Sequence, residues 1–139
     1  MGTRSNTLVI YGWINENSQL EEEQILNLYR QHDGNVAGHG AELLEFLEPM
    51  TIVNGITTGL TNIANGAGCL AAQLVSHFKV GVGGFYMQTL MGEENENDYT
   101  YKIYVAESNN TITVAVYEWD DQIFSGNVPA FKEFVGRNT

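Results

Sequence analysis

Two stretches near the C-terminus constrain the fold most: Tyr99–Ala106 (YTYKIYVA) and residues 111–119 (TITVAVYEW), with Asn109 and Asn110 between them. Both alternate β-branched or aromatic residues in the two-residue period of a strand. Asparagine tolerates the left-handed backbone of a tight hairpin, so the two read as an antiparallel pair. Such a pair has an apolar row, Ile112, Val114 and Val116, that something must cover. The opposite row, Thr111, Thr113, Ala115, Tyr117 and Trp119, is amphipathic. A wide aromatic face left uncovered by helices implies a homo-oligomer interface or a ligand platform.

The cover is readable upstream. Residues 69–79 (CLAAQLVSHFK) carry Leu70, Leu74 and Phe78 beside Ala71 and Val75, the broad apolar face of a helix. Residues 41–48 (AELLEFLE) place Leu43, Leu44 and Leu47 on one stripe, and Pro49 stops them. A third, short helix over residues 129–135 opens on Pro129, which a first turn accepts. Residues 3–11 read as a strand, residues 12–22 as a long hairpin loop, and residues 24–30 as the return strand. Residues 31–40 read as a structured loop and residues 51–61 as a connector rich in Gly, Thr and Asn. Residues 85–90 read as a strand, residues 92–98 as an acidic loop, and residues 122–125 as a last strand after an Asp120-Asp121 turn. Hairpin-linked strands with helices grouped apart mean α+β: a largely antiparallel sheet of about six strands, two central helices and a short C-terminal helix. A chain of 139 residues suits one such domain, spanning residues 1–139.

Six Lys and Arg against 17 Asp and Glu leave a net charge of −11. Affinity for DNA or RNA comes chiefly from cationic side chains on phosphates, so no polymeric nucleic acid is expected as a partner. The single cysteine, Cys69, excludes an internal disulfide framework and suits a reducing compartment. No basic segment followed by an apolar run opens the chain, and apolar stretches are interrupted before bilayer length. A cytoplasmic protein without a membrane partner is expected.

Three constellations are candidates for chemistry. Tyr29-Arg30-Gln31-His32-Asp33-Gly34, closed by Gly38-His39-Gly40, sets a guanidinium, two imidazoles and a carboxylate before a helix. This group suits an anionic or nucleotide-like ligand; the alternative is that Arg30 pairs with Asp33 and the glycines shape the loop. Asn65-Gly66-Ala67-Gly68 opens the longest helix, where backbone amides can cradle a phosphate. It lacks the lysine and hydroxyl of a Walker A loop, and the alternative is Asn65 as a helix cap with glycines for close packing. Cys69, in the first turn of that helix, is either a nucleophile served by His32, His39 or His77 or a small core residue. No metal-ligand spacing, hydrolase signature or cofactor motif is present, so no catalytic residue, metal or cofactor is expected. Arg4, Arg30 and His39 are expected to converge on a phosphate if the first two strands pair along their full length.

The sequence also resembles a family of small uncharacterised proteins of tailed phages. The resemblance rests on Gly2-Thr3-Arg4-Ser5, Tyr29-Arg30-Gln31 with Asp33-Gly34, Gly38-His39-Gly40, and Asn65-Gly66 with Gly68-Cys69 and Ala71-Ala72-Gln73-Leu74. Gly84-Phe85-Tyr86 fits as well. It implies a viral protein acting in the host cytosol, one that sequesters a small nucleotide defence signal or inhibits a host factor through its acidic surface. A nucleotide-degrading enzyme using His32 or His39 is the third reading. The leading expectation for ligand-binding residues is Arg4, Tyr29, Arg30, His32, Asp33, His39, Asn65, Gly66 and Gly68.

Overall fold

The computed structural model describes residues 2–55, 62–107 and 109–139. Its elements run β1 (Ser5–Ile14), β2 (Leu20–Arg30), a turn of π-helix (Val36–Gly40) leading into α1 (Ala41–Leu47), β3 (Thr51–Val53), β4 (Ile63–Asn65) and α2 (Gly66–Phe78). They continue with β5 (Phe85–Met87), β6 (Tyr99–Ala106), β7 (Ile112–Glu118), β8 (Asp121–Asn127) and α3 (Val128–Arg137). The α+β class holds: six strands lie in the order β5-β2-β1-β6-β7-β8, and β3 pairs with β4 in a separate two-stranded sheet. Every neighbouring pair in the large sheet is antiparallel except β1 and β6, which run parallel. That parallel pair sits at the centre, where Leu8, Val9, Ile103 and Val105 are buried.

The first hairpin is longer than the sequence suggests. Residues 12–14 and 20–22, expected in a loop, are strand, and only residues 15–19 turn. Asn15 builds the turn: its Oδ1 accepts from the amides of Asn17 (2.8 Å) and Gln19 (3.0 Å), and its Nδ2 donates to Glu21 (2.9 Å). The glutamate run 21–23 has a helical preference, but pairing with β1 at Tyr11, Gly12 and Trp13 overrides it. A bulge opposite Val9 and Ile10 sets Ile25 apart from the ladder and turns it toward the main core.

Alternation then sorts the sheet into two faces. On one, Val9, Leu26, Leu28, Tyr101, Ile103, Val105 and the expected Ile112, Val114 and Val116 meet α1, α2 and α3. The Leu70, Leu74 and Phe78 stripe of α2 is buried there, as periodicity predicts. α2 starts at Gly66 rather than Cys69 and ends at Phe78. α3 is fixed by Asn127, whose Oδ1 accepts from the Ala130 amide at 2.9 Å, and by Phe134 stacked on Phe124 with centroids 4.8 Å apart. The connector at residues 51–61 includes β3, parallel to β4; residues 56–61 lie outside the described residues.

The other face is crossed by the chain after β5, which leaves the strand at Met87 rather than Leu90. Amide side chains pin this crossing. Gln24 exchanges two bonds with the Met91 backbone (3.0 and 2.8 Å), Asn27 donates to Thr89 O (2.8 Å), and Asn97 donates to Asn6 Oδ1 (2.5 Å). Asn6 in turn donates to Asn27 (2.8 Å) and Gln88 (3.3 Å). Beneath the strap Leu8, Ile10 and Met91 form a second small core. Among the described residues no helix is long and apolar enough to cross a membrane.

Candidate functional site

Arg30 ends β2 on the helix-covered face and is the hub of a closed network. Its Nε donates to His32 O at 2.6 Å, and its Nη1 donates to Glu42 in α1 and to His39 Nδ1 at 3.2 Å. The ring of Phe85 lies under the guanidinium, 5.0 Å from its carbon. The acid that pairs with Arg30 is Glu42, so the expected Arg30–Asp33 pair is replaced. Helix geometry explains the change. The π-turn leads directly into α1, whose first turn carries the Glu42 carboxylate that reaches the guanidinium, while Asp33 has φ +61° and lines the hollow beside them.

His39 sits inside this network, fully buried, with Nε2 2.7 Å from Thr7 Oγ1. An arginine can only donate, so Nδ1 is the acceptor and the proton rests on Nε2, which donates to Thr7. Phe78, Phe85 and Tyr101 wall the ring, with centroids at 5.1, 6.5 and 4.9 Å. Burial, and secondarily the Arg30 charge, push the His39 pKa down to about 3. A neutral imidazole with both nitrogens occupied cannot act as acid, base or phosphate ligand. Nearby, Tyr101 donates to Gly34 O at 2.8 Å and burial raises its pKa strongly. A Cβ at Gly38 would overlap the Asp33 carbonyl oxygen, so glycine is required at that contact.

The α2 N-terminus is the opposite case. Gly66 starts the helix with φ +77°, and among the described residues nothing beyond the helix itself lies within 4 Å of the place a Cβ would occupy on Gly66 or Gly68. Asn65 makes no capping bond to the helix; its Oδ1 accepts from the Gly55 amide at 2.8 Å. The glycines therefore do not serve close packing. They border an open cleft of about 360 Å³, lined by Gly66, Ala67 and Gly68, with Tyr11, Glu107 and Asn110 opposite. Hydrogen bonding to Glu107 raises the Tyr11 pKa, with desolvation and the carboxylate charge adding to it. Tyr11 stacks on Trp13 with centroids 5.3 Å apart, extending an aromatic wall from the cleft along β1.

Arg30 and His39 thus come together, but Arg4 does not join them. Ser5 is paired with Arg30, and alternation sends the preceding residue to the strap side of the sheet. There Arg4 lines a separate hollow with Gly2, Glu96, Asn97, Asp98 and Trp119. Tyr29 also faces the strap side, beside Tyr86 at 6.2 Å, while His32 and Asp33 are exposed around the network. Asn65, Gly66 and Gly68 belong to the cleft. The nine candidates are distributed over four places, not one. Cys69 is half-buried, with Gln73 Nε2 3.4 Å from its sulfur. Among the described residues no three His, Cys, Asp or Glu side chains are grouped to hold a metal.

Sequence reading missed Tyr11, Glu107 and Asn110. Their convergence depends on the parallel β1–β6 register, which sets Tyr11 beside Val105, and no local pattern encodes it. Comparison with protein-family models, curated proteins and solved structures finds no match for this chain.

Proposed function

We propose that this protein binds a small phosphate-bearing molecule, a cyclic or modified nucleotide, and sequesters it without transforming it. In this reading it is a phage protein that withdraws a host defence signal. The observation that carries the proposal is the cleft at the α2 N-terminus. At about 360 Å³ it has the size of a small-ligand site, with exposed amides at one end and an aromatic wall and acceptors at the other. First-turn amides of a 13-residue helix favour phosphate oxygens. Glu107 opposes an anion at its own end of the cleft and accepts from hydroxyl or amino groups. The ligand is therefore oriented with phosphate at Gly66–Gly68 and sugar or base donors toward Glu107 and Asn110.

Chemistry has no support among the groups nearby. His39 is neutral and enclosed, and no histidine lines the cleft. An acidic inhibitor of a basic host protein would be favoured by carboxylates gathered on one face. The exposed run Glu21, Glu22, Glu23 instead divides between the two faces of the hairpin.

Incubation with a panel of cyclic and linear nucleotides, removal of excess, denaturation and chromatography of the supernatant test the proposal. One nucleotide is expected to be retained and recovered intact, and Gly68→Glu, which fills the cleft with a negative charge, to abolish retention. Recovery of a cleaved product, or retention undiminished in Gly68→Glu, overturns it.

A further inference from the structure

All 17 Asp and Glu lie outside residues 49–92, and within that span the formal charges reduce to Lys79. The same span ends in the most exposed large apolar side chains among the described residues. Val80 and Val82 are 90% and 105% exposed, and Tyr86, Met87 and Leu90 are 46%, 59% and 58% exposed. Val80 and Val82 lie in the loop before β5 and Tyr86 and Met87 on β5 itself, at the edge of the sheet, and Leu90 follows on the strap. Lys79 organises the edge: its Nζ donates to Gly83 O (2.9 Å) and Phe85 O (2.8 Å) and stands 5.5 Å from the centre of the Tyr86 ring. Its charge is thereby occupied within the loop, and the Phe85 carbonyl is not offered as a bare strand edge. What the edge presents is apolar side chains.

We infer that the Val80–Met87 edge is the self-association surface of this protein, joining two copies about a two-fold axis beside β5. Charge selects the occupant. A basic protein would be drawn to the carboxylates that fill the rest of the surface, and an anionic membrane finds no free cation here. A second copy carries the same −11 and is repelled everywhere that carboxylates lie, so it approaches most easily by the stretch that has none. A two-fold contact uses the same patch on both copies, which brings valine loop against valine loop with Lys79 as the one formal charge beside it, held by the Gly83 and Phe85 carbonyls. The amphipathic row on β7 is a poorer surface. Ala115 is already buried, and Tyr117 is covered by Lys102 at 4.6 Å and bonded to Gln122 at 3.0 Å.

The association is driven by apolar burial against charge repulsion, so added salt strengthens it by screening the repulsion. Sedimentation velocity of the full chain without ligand, from about 1 to about 200 µM, gives the test at the modest affinity expected of a small apolar patch. The expected result is a shift from 15.4 kDa to twice that mass as concentration rises. The midpoint moves several-fold lower between about 50 and about 500 mM NaCl. Val80→Asp/Val82→Asp places charges on side chains already in solvent, so its circular dichroism and melting match the parent, and it stays monomeric throughout. A parent that is monomeric at every concentration overturns the inference. So does a dimer that dissociates with salt, or one that persists in the double variant.

Discussion

Two glycine-rich approaches to a helix stand in this chain, Asp33–Gly40 before α1 and Asn65–Gly68 before α2, and they meet opposite fates. In the first, the polar side chains are taken up by one another, and a hollow of about 220 Å³ beside Arg30, Asp33, Gly38 and Glu42 remains. Arg30, Glu42, His39 and Thr7 satisfy one another, and Gly38 is pressed against the Asp33 carbonyl. The second is left open, with no side-chain cap and free space above Gly66 and Gly68. A cation beside a helix start is therefore no guide to ligand binding when a carboxylate of the same helix reaches it first. Of the two openings, the one without an arginine is the larger, about 360 Å³ against about 220 Å³.

α2 joins the two regions, since Phe78 packs against His39 at one end and Gly66 starts the cleft at the other. Leu74 lies between them, fully buried. Leu74→Asp puts an unpaired carboxylate into that core and is expected to unfold the domain, removing network and cleft together. Loss of the cooperative melt and of the near-ultraviolet dichroism reports it. Survival of either would mean that the two regions do not share one core.

Arg30→Ala separates them. It strips His39 and the His32 carbonyl of their donor and empties the space over Phe85, costing about 2–4 kcal/mol in urea unfolding. Nucleotide retention by the fraction that remains folded is expected to be unchanged. A stable Arg30→Ala protein that no longer retains ligand would reverse the roles assigned to the two regions.

His39 gives the network a pH signature that the cleft lacks. Its folded pKa of about 3 lies below the usual 6.5, so the unfolded chain takes up a proton that the native state refuses. Its contribution is intact above pH 6.5 and is lost at about 1.4 kcal/mol per unit as pH falls toward the folded value. By pH 5 the loss amounts to about 2 kcal/mol. Urea titrations of the parent and His39→Gln at pH 7 and 5 isolate it: the variant's drop is expected to be smaller by about that amount. Equal drops would show that His39 does not titrate as a buried neutral group.

The glycines give the finest test. Gly38→Ala is expected to cost about 1–3 kcal/mol, because the new methyl meets backbone. Gly68→Ala meets no side chain or backbone among the described residues outside its own helix and relieves a glycine within a helix, so a gain of about 0.5–1 kcal/mol is expected. Thermal melts compare the two. Similar costs would mean that the α2 start is packed after all.

Local pattern determined the β6–β7 hairpin, the buried row Ile112, Val114, Val116, the apolar stripe of α2 and the α+β class, because periods of two and 3.6 residues act over a few neighbours. The same reading placed Arg30 and His39 near each other, since both flank one short loop. The rest required tertiary structure. Glu21–Glu23 became strand because β1 supplied a partner, Arg30 chose Glu42 because the π-turn aimed α1 at it, and Arg4 fell on the far face by the parity of a paired strand. Tyr11 and Glu107 line one cleft with the start of α2 only through a parallel pairing between residues almost a hundred positions apart. Periodicity assigns a residue to a face of its own element; which faces are closed by neighbours, and which stay open to a ligand, is set by long-range register.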